Sequence, residues 1–235
     1  MHLILKGIVE AFHLLLSGDP FIYSIAWRSL QVSVPSILIA LAIGVPVASL
    51  IAQRRFRGRR LVIALINTGM AWPPVVVGLL VALFLWRSGA LGFLDWIYTL
   101  KGMIVAQVLI ATPLVTGLTL AALQQLDPSF RLQILAMGAT RRRLFFLLLR
   151  EIRVPILAAA MAGFGRVIAE VGAATIVGGN IAGQTQVLTT AIVQYTNAGD
   201  FAGAIALGVI LLLLAFATNF IVTTIQQRSV VATWA

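Results

Sequence analysis

Arg166 and Glu170 stand four residues apart inside an otherwise apolar stretch that runs from Val154 to Val177. One helical turn of separation puts them on one face, where they can pair. Charges at membrane depth are costly unless paired or facing water. The spacing therefore admits two uses, a salt bridge that fixes helix packing or a polar lining of a route. Neutral hydrogen-bonding groups interrupt other apolar stretches. Asn67 and Thr68 precede Trp72, Pro73 and Pro74, and consecutive prolines remove backbone donors and leave carbonyls of the preceding turn unpaired. Lipid tolerates this only where protein or cavity water satisfies them, so a kinked wall beside a pathway and a plain packing kink both fit. Thr175, Asn180, Thr189 and Thr190 surround a polar turn containing Gly178, Gly179 and Gly183. That turn can simply connect two helices, or its small residues can let backbone N–H groups approach an anion. Neutral donors suit an anion that must be held weakly and released.

The same inventory speaks against an enzyme. The chain has no cysteine, its two histidines are His2 and His13, and its seven acidic residues are scattered. Paired carboxylates and clusters with metal-ligand spacing are missing. No Gly-x-x-x-x-Gly-Lys-Ser/Thr loop occurs, so the chain itself is expected to bind no nucleotide, cofactor or metal.

These residues sit in a chain of 235 residues that is 60% hydrophobic and 10% charged, too apolar for an ordinary soluble domain. Ser29 to Gln53, Leu61 to Trp86, Gly102 to Leu126 and Phe201 to Gln227 contain no Asp, Glu, Lys or Arg, and each exceeds the roughly 20 residues a helix needs to cross a bilayer. With the Arg166 segment they predict five spans in an all-α integral membrane domain over 21–228. The spans are expected at about 25–53, 61–86, 102–126, 147–178 and 201–227, with a short tail at 229–235. The formal charge of +10 marks orientation rather than nucleic-acid binding. Arg54, Arg55, Arg57, Arg59 and Arg60 fill one short loop, while Arg131, Arg141, Arg142, Arg143, Arg150 and Arg153 fill another. Both loops are cytoplasmic by the positive-inside rule. The N-terminus is then outside, the C-terminus cytoplasmic, and Asp19, Asp95 and Asp200 outward. Residues 1–20 mix Lys6, Glu10 and His13 with Leu3, Phe12 and Leu14 to Leu16, as on an interfacial helix.

Between the third and fourth spans lies LDPSFRLQILAMGATRRRLFFLLLREIRVPIL, Leu126 to Leu157. Asp127 and Pro128 form a helix start, Gly138 a helix end and turn, and Thr140 a second cap before a basic helix running on into the membrane. This hairpin, with its loop at 127–146, resembles the coupling loop of permease subunits of type I bacterial ATP-binding-cassette importers. Leu132, Gln133 and Ile134 replace that family's usual Glu-Ala-Ala opening, and Glu151 its later proline. FGRVIAEVGAATIVGGN, Phe164 to Asn180, resembles oxyanion permeases for molybdate, sulfate and tungstate, and Gly178 to Leu214 is most similar to the tungstate type. The resemblance implies a homodimer in the cell membrane, two cytoplasmic ATPases that bind ATP and Mg, and an extracytoplasmic oxyanion-binding protein. It implies import by alternating access, with ATPase docking at Leu135, Ala136, Met137, Gly138, Ala139, Thr140 and Arg141. The anion is expected to pass Asn67, Thr68, Trp72, Pro73, Pro74, Arg166, Glu170, Thr175, Asn180, Thr189 and Thr190. Molybdate or sulfate is the nearest alternative to tungstate; a stand-alone channel or secondary carrier would not need the hairpin.

Overall fold

The computed structural model describes residues 2–18 and 20–231, and the regular elements among them are helices. They are α1 (His2–Leu16), α2 (Pro20–Gln53), α3 (Arg59–Met70), α4 (Pro74–Leu85), α5 (Leu100–Gln125), α6 (Pro128–Ala136), α7 (Arg141–Glu151), α8 (Arg153–Ile168), α9 (Gly172–Gly178), α10 (Leu188–Asn197) and α11 (Phe201–Val231), with a 3-10 turn at Gly92–Leu94. By length and composition α2, α5 and Phe201–Thr224 of α11 can each cross a membrane, and α3 with α4 and α8 with α9 pass the same test as bent pairs, which makes five spans if each pair is one. Asp19 and residues 232–235 of the expected tail lie outside the described residues.

The bundle is built on small residues at helical spacing. Ile25, Ser29, Val32, Ser36, Ala40, Gly44, Ala48 and Ile51 form the buried face of α2, and their small side chains let α5 approach closely, which in lipid replaces the hydrophobic drive available in water. A Cβ on Gly44 would stand 2.9 Å from Thr116 Oγ1 of α5. Several hydroxyls inside the spans are satisfied by their own helices, as Ser36 Oγ donates to Val32 O at 2.6 Å and Thr116 Oγ1 to Thr112 O at 2.7 Å, whereas the buried Thr119 Oγ1 has no partner among the described residues. Ile37, Ala40, Ala111, Val115, Phe164 and Val167 join α2, α5 and α8 into the central core.

Two expectations change. The segment 61–86 is not one kinked helix but two helices meeting at 100°, because Pro73 and Pro74 cannot donate to the turn before them. The segment 147–178 holds the end of α7, then α8, then α9 at 59° to α8, so the basic helix stops at Glu151 instead of running on into the membrane. The stretch after the polar turn is itself helical, as α10, with Leu188, Thr189, Thr190 and Ala191 buried. At 15 residues α1 spans about 22 Å, short of a hydrocarbon core of about 30 Å. It packs along α11, where a Cβ on Gly7 would meet Ile205 Cγ2 at 2.5 Å.

Candidate functional site

The hairpin of α6 and α7 is an exposed knob seated on the bundle. Asp127 Oδ1 accepts the Ser129 N–H at 2.7 Å and so caps α6, with Pro128 in the first turn. That backbone bond, then the Ser129 side chain, holds the Asp127 carboxyl below its usual range. At the other end Gly138 takes φ +77° and donates its N–H to Leu135 O at 3.0 Å, while Ala139 N–H reaches Ile134 O at 3.3 Å. Thr140 Oγ1 accepts the Arg143 N–H at 3.3 Å and starts α7. Ile134, Leu144 and Leu148 anchor the hairpin on Ala48 and Ile51 of α2 and Leu120 and Leu123 of α5. Arg131 Nη2 and Arg59 Nε cap the end of α2 by donating to Gln53 O and Ile51 O at 3.1 Å each. Between these anchors Leu135, Ala136, Met137, Gly138, Thr140 and Arg141 are exposed, Met137 by 78%, with Ala139 half-buried. The knob is thereby tied to the C-terminal ends of α2 and α5.

The two helix breaks lie against one another. After Met70, the Ala71 N–H closes a short turn to Thr68 O at 3.0 Å, and the chain then passes Trp72 and Pro73 in extended form into α4. After Ile168, the Glu170 N–H reaches Val167 O at 3.2 Å, and α9 begins at Gly172. A Cβ on Gly172 would stand 2.5 Å from Val75 Cγ2, and one on Gly78 only 2.6 Å from Ala173 Cα. The short helices α4 and α9 therefore pack backbone to backbone. Around this junction Asn67, Thr68, Trp72, Pro73, Arg166 and Thr175 are exposed, and Pro74 and Glu170 half-buried.

Arg166 and Glu170 do not pair: among the described residues no ion pair joins them. Glu170 Oε1 instead accepts the Ala173 N–H at 3.0 Å, capping α9. The break between α8 and α9 gives the carboxylate a nearer donor, and Arg166 remains exposed without a partner among the described residues. Thr189 and Thr190 are buried at 6% and 2% exposure. Thr189 Oγ1 donates to Glu170 O at 2.9 Å, and Thr190 Oγ1 accepts the Val187 N–H at 3.1 Å to cap α10. Asn180, half-buried at φ +48°, donates Nδ2 to Gln194 Oε1 at 2.9 Å. The structure thus brings Asn67, Thr68, Trp72, Arg166 and Thr175 out to a surface and gives Thr189 and Thr190 structural duties.

Sequence reasoning passed over a buried arginine. Arg28 of α2 is 8% exposed, and it donates Nε to Gln186 O at 2.9 Å, Nη1 to Gly183 O at 3.2 Å and Nη2 to Ser24 Oγ at 3.2 Å. It clamps the polar turn between α9 and α10 onto α2, and Ser29 Oγ adds a bond from Leu188 N–H at 2.9 Å. Gln107 of α5 was equally silent. It is 1% exposed, its Oε1 has no hydrogen-bond partner among the described residues, and it lines a cavity of about 10 Å³ with Ser33, Glu170 and Thr189, room for about one water. A charge-free run around an isolated arginine or glutamine was the available signal, since such groups survive in a span only when satisfied.

Three comparisons bear on this geometry. A family model described as "Binding-protein-dependent transport system inner membrane component" matches residues 44–231. The chain is 37% identical over 228 residues to the "Tungstate uptake system permease protein TupB" of Peptoclostridium acidaminophilum, covering 97% of this chain and all of that protein. It is also 37% identical over 214 residues to a "Probable anion ABC transporter permease protein" of Haloferax volcanii, covering 89% and 92% of the two. In fold it is similar to a chain of the inward-facing MetNI methionine ABC transporter, with a TM-score of 0.75 at 20% identity over 90% of this chain and 98% of that one.

Proposed function

The chain belongs to the family of binding-protein-dependent transport system inner membrane components, and on that footing we propose that it is the permease subunit of an ATP-driven importer carrying a tetrahedral oxyanion, tungstate before molybdate or sulfate, into the cytoplasm. The observation that carries the reading is the junction of the two broken spans. Arg166, Asn67, Thr68 and Thr175 are exposed there within apolar segments. Against lipid such groups are expensive, so a second copy covers them and the route runs between the two copies around a two-fold axis. The exposed Leu135 to Arg141 knob docks a cytoplasmic ATPase, which binds ATP and Mg and does the hydrolysis. An extracytoplasmic protein delivers the anion. ATPase closure draws the two knobs together, and because each is seated on the inner ends of α2 and α5, the bundles rock as bodies and the route opens outward. Hydrolysis restores the inward state.

Asn67 offers the anion an amide donor, whereas the Thr68 and Thr175 hydroxyls donate to Ala64 O and Val171 O at 2.8 Å each and turn to the anion only by giving up those bonds, so the anion is held weakly and released. The test is tungstate uptake into liposomes by the assembled complex, with molybdate and sulfate as competitors. Asn67→Val and Thr68→Val should lower uptake while ATPase and binding-protein attachment persist. Wild-type uptake by both variants removes these residues from the route. Faster uptake of sulfate than of tungstate would reassign the anion.

A further inference from the structure

We propose that a cleft at the cytoplasmic end of α2 is a binding site for one anionic phospholipid, with the headgroup phosphate held by Arg54 and Arg141. The cleft has a volume of about 760 Å³ and opens between α2, α6 and α7. Its wall is apolar, formed by Val47 and Leu50 of α2 with Leu144 and Phe145 of α7, and Arg54 and Arg131 stand around it together with Leu135 and Arg141 from the two ends of the docking knob. Among the described residues neither Arg54 nor Arg141 forms an ion pair, and both are exposed. Arg131 has one N–H committed to Gln53 O. Three positive charges beside an apolar wall are complementary to a molecule that is anionic at one end and hydrocarbon at the other.

Depth fixes which kind of molecule that is. α2 has 34 residues and is about 51 Å long, whereas the hydrocarbon core is about 30 Å thick and the bilayer with headgroups about 40–45 Å. Its last turn therefore reaches the headgroup layer. From Arg54 to Val47 is about 10 Å along the helix, so when the guanidinium lies at phosphate depth, Leu50 and Val47 lie beside acyl chains. Leu38, Ile39, Ile43, Val47 and Leu50 are all exposed along α2 above the cleft, and an acyl chain can follow this stripe upward. A free inorganic anion would match the arginines and leave the apolar wall unused. An acidic surface of the ATPase or of a second copy would match the arginines and leave the stripe unused.

The test is native mass spectrometry of the purified complex, with its ATPase, in detergent containing phosphatidylglycerol, phosphatidylcholine or soluble glycerol 3-phosphate. The wild type should retain one phosphatidylglycerol per permease and no phosphatidylcholine. Arg54→Gln and Arg141→Gln should each lower retention about fivefold, the worth of one surface arginine at an anionic membrane. Val47→Trp, which fills the apolar wall, should lower it with both arginines in place. Undiminished retention in the arginine variants overturns the proposal, as does equal retention of phosphatidylcholine. Displacement by millimolar glycerol 3-phosphate would assign the site to a free anion. Lipid retained by the permease alone but lost on ATPase assembly would assign the cleft to the ATPase.

Discussion

Gly138 offers a perturbation whose cost is set by backbone alone. It closes the turn between α6 and α7 at φ +77°, and no atom lies within 4 Å of where a Cβ would stand. A substitution there meets the left-handed backbone penalty and no neighbour. That penalty is about 1–2 kcal/mol for an ordinary L-residue and about 1–3 kcal/mol for a strained position of this kind, with β-branched valine toward the upper end. Asparagine tolerates this region and should lose least. A cost of about 2 kcal/mol shifts the turn about 30-fold away from its native geometry. The shift stays local, because Ile134 on one side and Leu144 and Leu148 on the other hold both helices to α2 and α5 independently of the turn. Gly138→Val should therefore insert and keep a normal melting temperature in detergent while ATP-driven tungstate uptake falls about tenfold or more, in the order wild type, Asn, Ala, Val. Uptake in proteoliposomes, with ATPase retention checked by co-purification, reads this directly. Wild-type uptake by Gly138→Val with ATPase bound refutes docking at this turn. Equal collapse of the Asn, Ala and Val variants refutes the backbone account, since only a contact surface at the glycine itself would treat the three alike.

Arg28→Met should lower the melting temperature and uptake together, because hydrogen bonds from charged groups contribute about 1.5–3 kcal/mol each; Arg28→Lys should not rescue, as one ammonium cannot reproduce a planar fork reaching three acceptors, and rescue by lysine would refute the clamp. Gly78→Val should destabilise by about 1–3 kcal/mol or more, because its side chain would run into Ala173 backbone; an unchanged melting temperature would contradict the packing of α4 on α9. Glu170→Gln should keep the α9 cap and Glu170→Leu lose it, a difference of about 0.5–2 kcal/mol. Arg166→Met combined with Glu170→Gln should show additive losses, and a coupled result would restore the ion pair.

Hydropathy and capping residues made the membrane class, the hairpin and the approximate span positions legible in the sequence. Asp127, Pro128, Gly138 and Thr140 are local signals whose chemistry acts within three or four residues, and the structure uses Asp127, Gly138 and Thr140 in those roles. The breaks were half legible. Pro73 and Pro74 announce a discontinuity, but its 100° angle depends on α4 settling against α9, which no local pattern encodes. The break at Ala169 to Val171 has no proline, and the i,i+4 rule that paired Arg166 with Glu170 presumes the unbroken helix which this break ends. Thr189 and Thr190 were assigned by residue type alone. A hydroxyl in a span reads the same whether it faces a route or caps a buried helix, and Val187 to Ala191 are buried because α10 is held by Ser29 and Arg28 from a segment about 160 residues away in sequence.

The same long-range contacts decide which positive charge within the spans can meet an anion. Arg28 and Arg166 both lie in apolar helices, and the sequence singled out only Arg166. Arg28 is buried with its donors on Gln186 O, Gly183 O and Ser24 Oγ, so carbonyl and hydroxyl dipoles already solvate its charge and little is left to attract a passing ligand. Arg166 is exposed and has lost the carboxylate that would have quenched it, because Glu170 turns to the Ala173 N–H. A break with no proline thus does two things at once. It caps a short helix with a carboxylate, and it leaves the Arg166 guanidinium exposed one turn before the break. On the route proposed above, that one cation per copy gives an anion a reason to enter the junction, while the scarcity of further charge leaves it free to go on.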